Sequence, residues 1–348
     1  MTRLSSDSIV AVPGGAGYLG SILCANLLDS GYRVRVLDRC FFGAEALAAC
    51  LEHGDRFELR RVDSRDVGAE QFEGVEAVID LAGLSNDPSC MLDDGLTEAI
   101  NIDGGRRLVQ AAKAAGVRRY VYQSSCSVYG SGGDTFVNED SELAPVSAYA
   151  ESKLAMEEVV QAEAGDGFEV TMSRMGTLFG LSRRMRFDLI INIMTLSALR
   201  DGRIFVLGGG AQWRPLLHVS DAARGLRLLA EAEGERVAGR IFNVGSTELN
   251  FRVIRVARII AEVVDQAELI VVPSDPDRRS YRIDFLRFEE EFDFSPQVTP
   301  RRGAEEIYDA LRREEVDTGL KTKTVDYYRY LLEAKQVLDE IMLDGRLL

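Results

Sequence analysis

Between Ser124 and Lys153 the chain holds the residue types needed to move a proton. Three hydroxyls, Ser124, Ser125 and Ser127, follow the apolar run RYVYQ, and Tyr149 stands four residues ahead of Lys153. Residues four apart on a helix lie one above the other on the same face, so the phenol and the ammonium can share one small volume. A free phenol, with a pKa of about 10, is a poor base at neutral pH. An adjacent fixed cation favours the phenolate, and a nearby serine can hold the oxygen whose proton is removed. A tyrosine and lysine at this spacing also suit an ordinary solvated helix face, so the chemistry depends on what surrounds them.

The elements that would position such a device begin at the N-terminus. IVAV (9–12) is a strand-type run, followed by PGGAGYLGSILCANLLDSGY with glycines at 14, 17 and 20 and apolar Leu19, Ile22, Leu23, Leu27 and Leu28 at helical spacing. Strand, glycine turn and helix in that order place backbone N–H groups at a helix N-terminus, where a pyrophosphate binds. The expected cradle is Gly14 and Gly17 with Tyr18 and Leu19. RVRVLD then reads as a second strand ending at Asp38, eighteen residues beyond Gly20. There a dinucleotide fold places the carboxylate that accepts the adenosine-ribose hydroxyls and repels a 2′-phosphate, favouring NAD. Arg39, next door, argues for NADP.

GGAGYLG (14–20), VDSRD (62–66), DLAGLS (80–85), SSCSVYG (124–130), YAESK (149–153) and RPLLHVSD (214–221) form an ordered set. This set resembles the extended short-chain dehydrogenase/reductase family, and within it NAD-dependent nucleotide-sugar epimerases and dehydratases of the UDP-galactose 4-epimerase type. The resemblance implies an α/β fold: a doubly wound parallel Rossmann sheet with a smaller, mostly helical C-terminal substrate domain. The NAD-binding part would comprise residues 1–175 plus about 214–250, and the nucleotide-sugar part about 176–213 plus 251–348. It assigns catalysis to Ser125, three residues before Val128, with Tyr149 and Lys153. It assigns Asp63 and Ser64 to adenine, Leu81, Ala82 and Gly83 to close approach of the cofactor, and Asn101 to steadying the active-site backbone. Ser85, Asn86 and Ser127 would lie near the sugar. Asn192, Arg214 and Arg279 match substrate-gripping positions. Arg183, Arg184 and Arg186 form a basic patch suited to phosphate, from which Arg184 is taken as a substrate ligand.

Position 127 bears on the reaction. Relatives that eliminate water or decarboxylate carry a glutamate there, and those that epimerise carbons 3 and 5 carry a cysteine; here it is Ser127, which cannot take a carbon-bound proton, and Cys126 is one place off. The expectation is therefore C4 epimerisation through a transient 4-keto sugar with NAD. The alternatives are a 4-ketoreductase or dehydrogenase, a 4,6-dehydratase-type enzyme and, remotely, a non-catalytic dinucleotide sensor. Thr177 departs from the asparagine of UDP-galactose 4-epimerases, leaving base and sugar open. His218 reads as structural, between a strand and a helix capped by Ser220 or Asp221.

Composition agrees. A chain of 348 residues suits a large domain with a smaller one attached. A net charge of −15 argues against a nucleic-acid partner. Five cysteines without a CxxC, beside two histidines, indicate reduced thiols and no metal site. No apolar stretch suits a membrane span and MTRLSSDS is no signal peptide, so a soluble cytoplasmic protein is expected, as a homodimer.

Overall fold

The computed structural model describes residues 4–265, 267–274, 279–343 and 346. Strands and helices alternate and close into one seven-stranded sheet: β1 (Ile9–Pro13), β2 (Arg33–Asp38), β3 (Phe57–Arg61), β4 (Val75–Asp80), β5 (Arg119–Ser125), β6 (Glu169–Met175) and β7 (Ile241–Val244). The order is β7-β6-β5-β4-β1-β2-β3 and every neighbouring pair is parallel. A parallel sheet needs helices on both faces, so its middle strands are buried throughout. The helices that matter here are α1 (Tyr18–Asp29), α2 (Gly105–Ala114), α3 (Ala148–Ala162), α4 (Ile190–Asp201), α5 (Val219–Glu231), α6 (Val253–Val263), α7 (Pro300–Arg312) and α8 (Thr324–Ile341). The doubly wound sheet expected from the sequence is therefore present.

The strand order reverses on either side of β1, between β2 and β4, and this opens a crevice at the carboxyl ends of the strands. Two glycines make the crevice possible. A Cβ on Gly14, whose φ is +78°, would sit 2.8 Å from the carbonyl carbon of Leu81, and one on Gly20 would sit 2.4 Å from the Gly14 oxygen. With any larger residue, the start of α1 could not lie this close to the ends of β1 and β4.

Helix α3 opens with Ser147, whose hydroxyl accepts the Ala150 N–H and so satisfies one of the unpaired donors at the helix start. Tyr149, Lys153, Met156 and Val160 are all buried, a stripe at the i, i+4, i+7, i+11 spacing of a helix face turned to the sheet. The two proton-handling residues thus lie on the stripe that docks the helix.

Three segments differ from the pattern read in the sequence. FGAEALAACLEHG, read as a helix, forms tight 3₁₀ turns over Glu45–Arg56, interrupted by Gly54 at φ +60°. LTEAINIDGGRRLVQAAKAAG, read as one long helix, is broken into a short α-helical turn, a π-helical stretch over Glu98–Gly104, and α2. The wide turn carries Asn101, and such turns collect at functional sites. The C-terminal part is mostly helical and also carries short strands. Thr177–Phe179, Trp213–His218 and Asn250–Arg252 form a three-stranded sheet, and two small strand pairs join Arg203–Val206 to Glu268–Val271 and Ser131–Val137 to Ser280–Ile283. Segment 214–250 is consequently divided, since β7 joins the large sheet while Trp213–His218 pairs with Thr177–Phe179. The loop read as DPDRRSYR includes residues 275–278, which lie outside the described residues.

Candidate active site

A cleft of about 690 Å³ runs along the carboxyl ends of β1, β2, β4 and β5 and under the C-terminal segments, a size suited to small-molecule ligands. Its walls include Gly14, Gly17, Tyr18, Leu19, Asp38, Arg39, Asp63, Ser64, Leu81, Ala82, Gly83, Ser85, Asn86, Ser125, Ser127, Tyr149, Arg184, Arg214 and Arg279. Residues from across the chain that the sequence assigned to ligands therefore converge on one space.

At one end the glycine turn and Asp38 are bonded together. Asp38 Oδ2 accepts the Ala16 N–H at 2.9 Å and Oδ1 accepts the Cys40 N–H at 2.7 Å. Burial pushes this carboxyl up, and the two backbone bonds work against the shift. Arg39 does not form an open phosphate pocket: its guanidinium donates to Asp63 Oδ2 at 2.7 Å and lies over the Phe41 ring. Asp63 also accepts from the Arg65 side chain and N–H, and these contacts hold it well below the usual carboxylate range.

At mid-cleft, Ser125 ends β5 and its Oγ accepts the Ser127 N–H at 3.1 Å. Burial pushes the Tyr149 phenol well above its usual value, while a hydrogen bond with Ser125 and the charge of Arg186 pull the other way. Lys153 Nζ donates to the Gln123 carbonyl at 2.9 Å, 6.0 Å from the centre of the Tyr149 ring. Burial brings the ammonium down to about 8. Among the largest influences on the phenol, Ser125 and Arg186 lower it and desolvation outweighs both, while Lys153 is not among them.

Several residues that hold this arrangement escaped the sequence reading. Ser124 donates to Glu157 Oε1 at 2.5 Å, and Glu157 receives a forked bond from Arg174, 2.7 Å at its shortest. Arg174 also donates to the Tyr129 hydroxyl, which donates to Asn243 Oδ1 at 2.7 Å. This buried chain ties β5, β6, β7 and α3 together directly behind the serine. Its signal was four polar residues in a strand, EVTMSRM, that is buried along its whole length, since a buried charge demands a partner. Asp80 likewise accepts the Ala82 N–H and the Tyr120 hydroxyl, which fixes the exit of β4.

Other assignments move. Asn101 turns away from the cleft: its Oδ1 accepts the Leu84 N–H at 2.7 Å and its Nδ2 donates to the Leu84 carbonyl and to Ser152. It steadies the loop after β4 and does not line the cleft itself. Asn192 is fully buried, bonded to the Gly180 N–H, the Tyr18 hydroxyl and the Arg186 carbonyl. Facing inward from α4, it organises the loop from Gly180 to Asp188 and is not positioned as a substrate ligand. Ser85 accepts from Arg186, and Asn86 donates to Asp188 at 2.7 Å. Both therefore line the cleft through a loop braced by the Arg186–Asp188 ion pair. Of the three clustered arginines, Arg183 is exposed, Arg186 stands at mid-cleft, and Arg184 stacks on the Phe42 ring, four residues past Asp38. Arg214 and Arg279 occupy the other end, where Arg214 donates to the Arg279 carbonyl and Arg279 pairs with Asp87. His218 caps α5 by accepting the Ser220 N–H, and bonds Glu306 at 2.6 Å, which makes it structural. The five cysteines are unbridged, and among the described residues no helix is long and apolar enough to cross a membrane.

Comparison with known proteins gives a consistent result. The profile of the NAD dependent epimerase/dehydratase family matches residues 10–245. The chain is 31% identical over 299 residues to a dTDP-glucose 4,6-dehydratase of Streptomyces griseus, covering 82% of this chain and 89% of that one. It is 27% identical over 312 residues to a UDP-glucose 4-epimerase of Mycolicibacterium smegmatis, covering 87% and 98%. Among solved structures, DesIV, a dTDP-glucose 4,6-dehydratase from Streptomyces venezuelae with NAD bound, superposes with a TM-score of 0.79 at 28% identity, covering 88% of this chain and 98% of that one.

Proposed function

The chain belongs to the NAD-dependent epimerase/dehydratase family, and within it we propose that it inverts carbon 4 of a nucleotide sugar through a transient 4-keto intermediate. Similarity alone does not separate the reactions, because a dehydratase and an epimerase match at comparable identity. The observation that carries the reading is that no acid in the cleft is disposed to take a carbon-bound proton. Among the described residues, four carboxylates line it, and each is engaged. Asp38 holds backbone N–H groups, Asp63 holds Arg39 and Arg65, Asp87 holds Arg279, and Asp188 holds Arg186. Position 127, where water-eliminating and decarboxylating relatives carry a glutamate, offers a hydroxyl. The Cys126 thiol is buried, turned to the Arg174 carbonyl, and pushed well up by burial.

The cleft fits NAD on its own residues. The glycine turn leaves space that a Cβ would fill, Asp38 stands where ribose hydroxyls are accepted, and two buried polar atoms of cleft-lining residues, Ser127 Oγ and Arg184 Nε, lack a hydrogen-bond partner. When bound, NAD supplies a reversible hydride acceptor, so a carbon oxidised to a ketone and reduced from its other face is inverted without net redox change. The chain's own work is proton handling. Tyr149 takes the proton of the sugar C4 hydroxyl and returns it, Ser125 bonds the same oxygen, and Lys153 is suited to hold the nicotinamide ribose. Arg214 and Arg279 are suited to the diphosphate. The unbridged cysteines support a reducing, cytoplasmic setting, and the exposed apolar residues Tyr330, Val337 and Ile341 of α8 support the expected homodimer.

The test is to incubate the protein with UDP-, dTDP-, GDP- and CDP-sugars and follow products by mass and proton NMR. The expected product has unchanged mass, inverted C4 and no net NADH. A product lighter by one water makes the enzyme a dehydratase and refutes the reading of Ser127. Cofactor consumed mole for mole makes it a dehydrogenase or ketoreductase.

A further inference from the structure

The basic loop from Ser182 to Asp188 was expected to grip the substrate's diphosphate. One of its two buried arginines, Arg184, lies elsewhere. The Arg184 guanidinium carbon is 3.6 Å from the centre of the Phe42 ring, and Phe42 follows Asp38 on the loop out of β2. Asp38 is bonded to the glycine turn through the Ala16 N–H. The two groups suited to the substrate diphosphate, Arg214 and Arg279, line the cleft with Gln212 and Tyr281 at the far end.

We propose that Arg184 is a ligand of the dinucleotide's own phosphates, reaching the cofactor groove from the loop between Ser182 and Asp188. Three observations carry this. The side chain is 92% buried yet lines the cleft, and its Nε has no hydrogen-bond partner. A buried guanidinium with no carboxylate partner costs free energy that a neighbouring phosphate's charge would recover. Among the described residues Arg184 has no carboxylate within ion-pair distance, unlike Arg186, so its charge is not already spent. The side chain is also aimed by a built support. Its NH2 donates to Thr324 Oγ1 at 3.0 Å, at the first residue of α8, and Phe42 packs against Tyr327 and Tyr328 of that helix with ring centres 5.4 Å apart. The start of α8, with Thr324, Val325 and Tyr328 on the cleft wall, thus serves as a buttress over the bound cofactor. The consequence is slow cofactor exchange, which suits a reaction that returns its hydride within each turnover. The inference rests on NAD occupying this groove, and not on which sugar carbon reacts.

The experiment is competition of ADP, adenosine and UDP against radiolabelled NAD or against substrate, in the full chain. In Arg184→Gln the ADP inhibition constant against NAD should rise about tenfold or more, as expected for a lost charged hydrogen bond. Adenosine against NAD and UDP against substrate should stay within about twofold, and labelled NAD should leave faster. Thr324→Val, a milder change at the acceptor that aims the guanidinium, should give the same pattern at smaller size and serves if the glutamine variant does not fold. Equal losses for ADP and adenosine would reduce Arg184 to a packing role and overturn the proposal. A loss confined to UDP would return Arg184 to the substrate, and unchanged ADP binding in both variants would also overturn it. None of these readouts depends on whether the product is an epimer.

Discussion

Lys153 offers a sharp test because its site should make it costly to the fold. Burial brings its ammonium from 10.5 down to about 8, against the opposing charges of Asp80 and Glu157. At about 1.4 kcal/mol per pH unit, that displacement is worth about 3–4 kcal/mol. The folded chain binds this proton less tightly than the unfolded chain. The penalty is therefore in full force below about pH 8, shrinks as pH rises from 8 toward 10.5, and is gone above that. Lys153→Met keeps the length and the apolar stem, removes the charge, and forfeits the hydrogen bond to Gln123, worth about 1 kcal/mol. The variant should then be inactive yet more stable than the parent by about 2–3 kcal/mol at pH 7. The order should reverse near pH 10.5, where the parent's neutral amine keeps its bond at no charge penalty. Urea unfolding of nucleotide-free protein at several pH values measures this without interference from NAD affinity. A variant less stable than the parent at pH 7, or a difference that does not change with pH, would show that the surrounding carboxylates compensate the ammonium in full, and the burial argument would fail.

Tyr149→Phe should lower turnover by about 10²–10⁴-fold with NAD binding unchanged, measured by single-turnover kinetics and bound-nucleotide content; near-normal turnover would remove Tyr149 as the base. Asp38→Ala should weaken NAD by about tenfold or more while NADP changes little, read by titration with both cofactors, and unchanged selectivity would exclude the ribose role. Glu157→Gln strands the Arg174 charge in the interior and should cost about 3 kcal/mol of stability, seen as a lower urea midpoint. An unchanged midpoint would mean that the chain behind Ser124 carries no strain-bearing charge.

What could be read from the sequence was local. The β1 turn into α1, the end of β2 at Asp38 and the pairing of Tyr149 with Lys153 all rest on spacings of a few residues, which periodicity and glycine placement fix. What could not be read depends on where a loop falls after long-range packing. Arg184 and Arg186 are two residues apart in a patch that looks uniform, yet one stacks on Phe42 near Asp38 and the other pairs with Asp188 at mid-cleft. Asn192 is an unremarkable polar residue near the start of an apolar helix, and only the fold of the Gly180–Asp188 loop shows that it serves that backbone. The π-helical stretch around Asn101 is invisible to a helical-period argument, because one inserted residue shifts the phase without changing composition.

The hydroxyl of Ser127 hangs from a backbone pinned by Ser125, and no neighbour bonds to it. The scaffold holding Tyr149 is secured from behind by Glu157 and Arg174 and makes no bond to the side chain at 127. A substitution at position 127 would therefore alter one wall of the cleft while leaving the buried brace behind it intact.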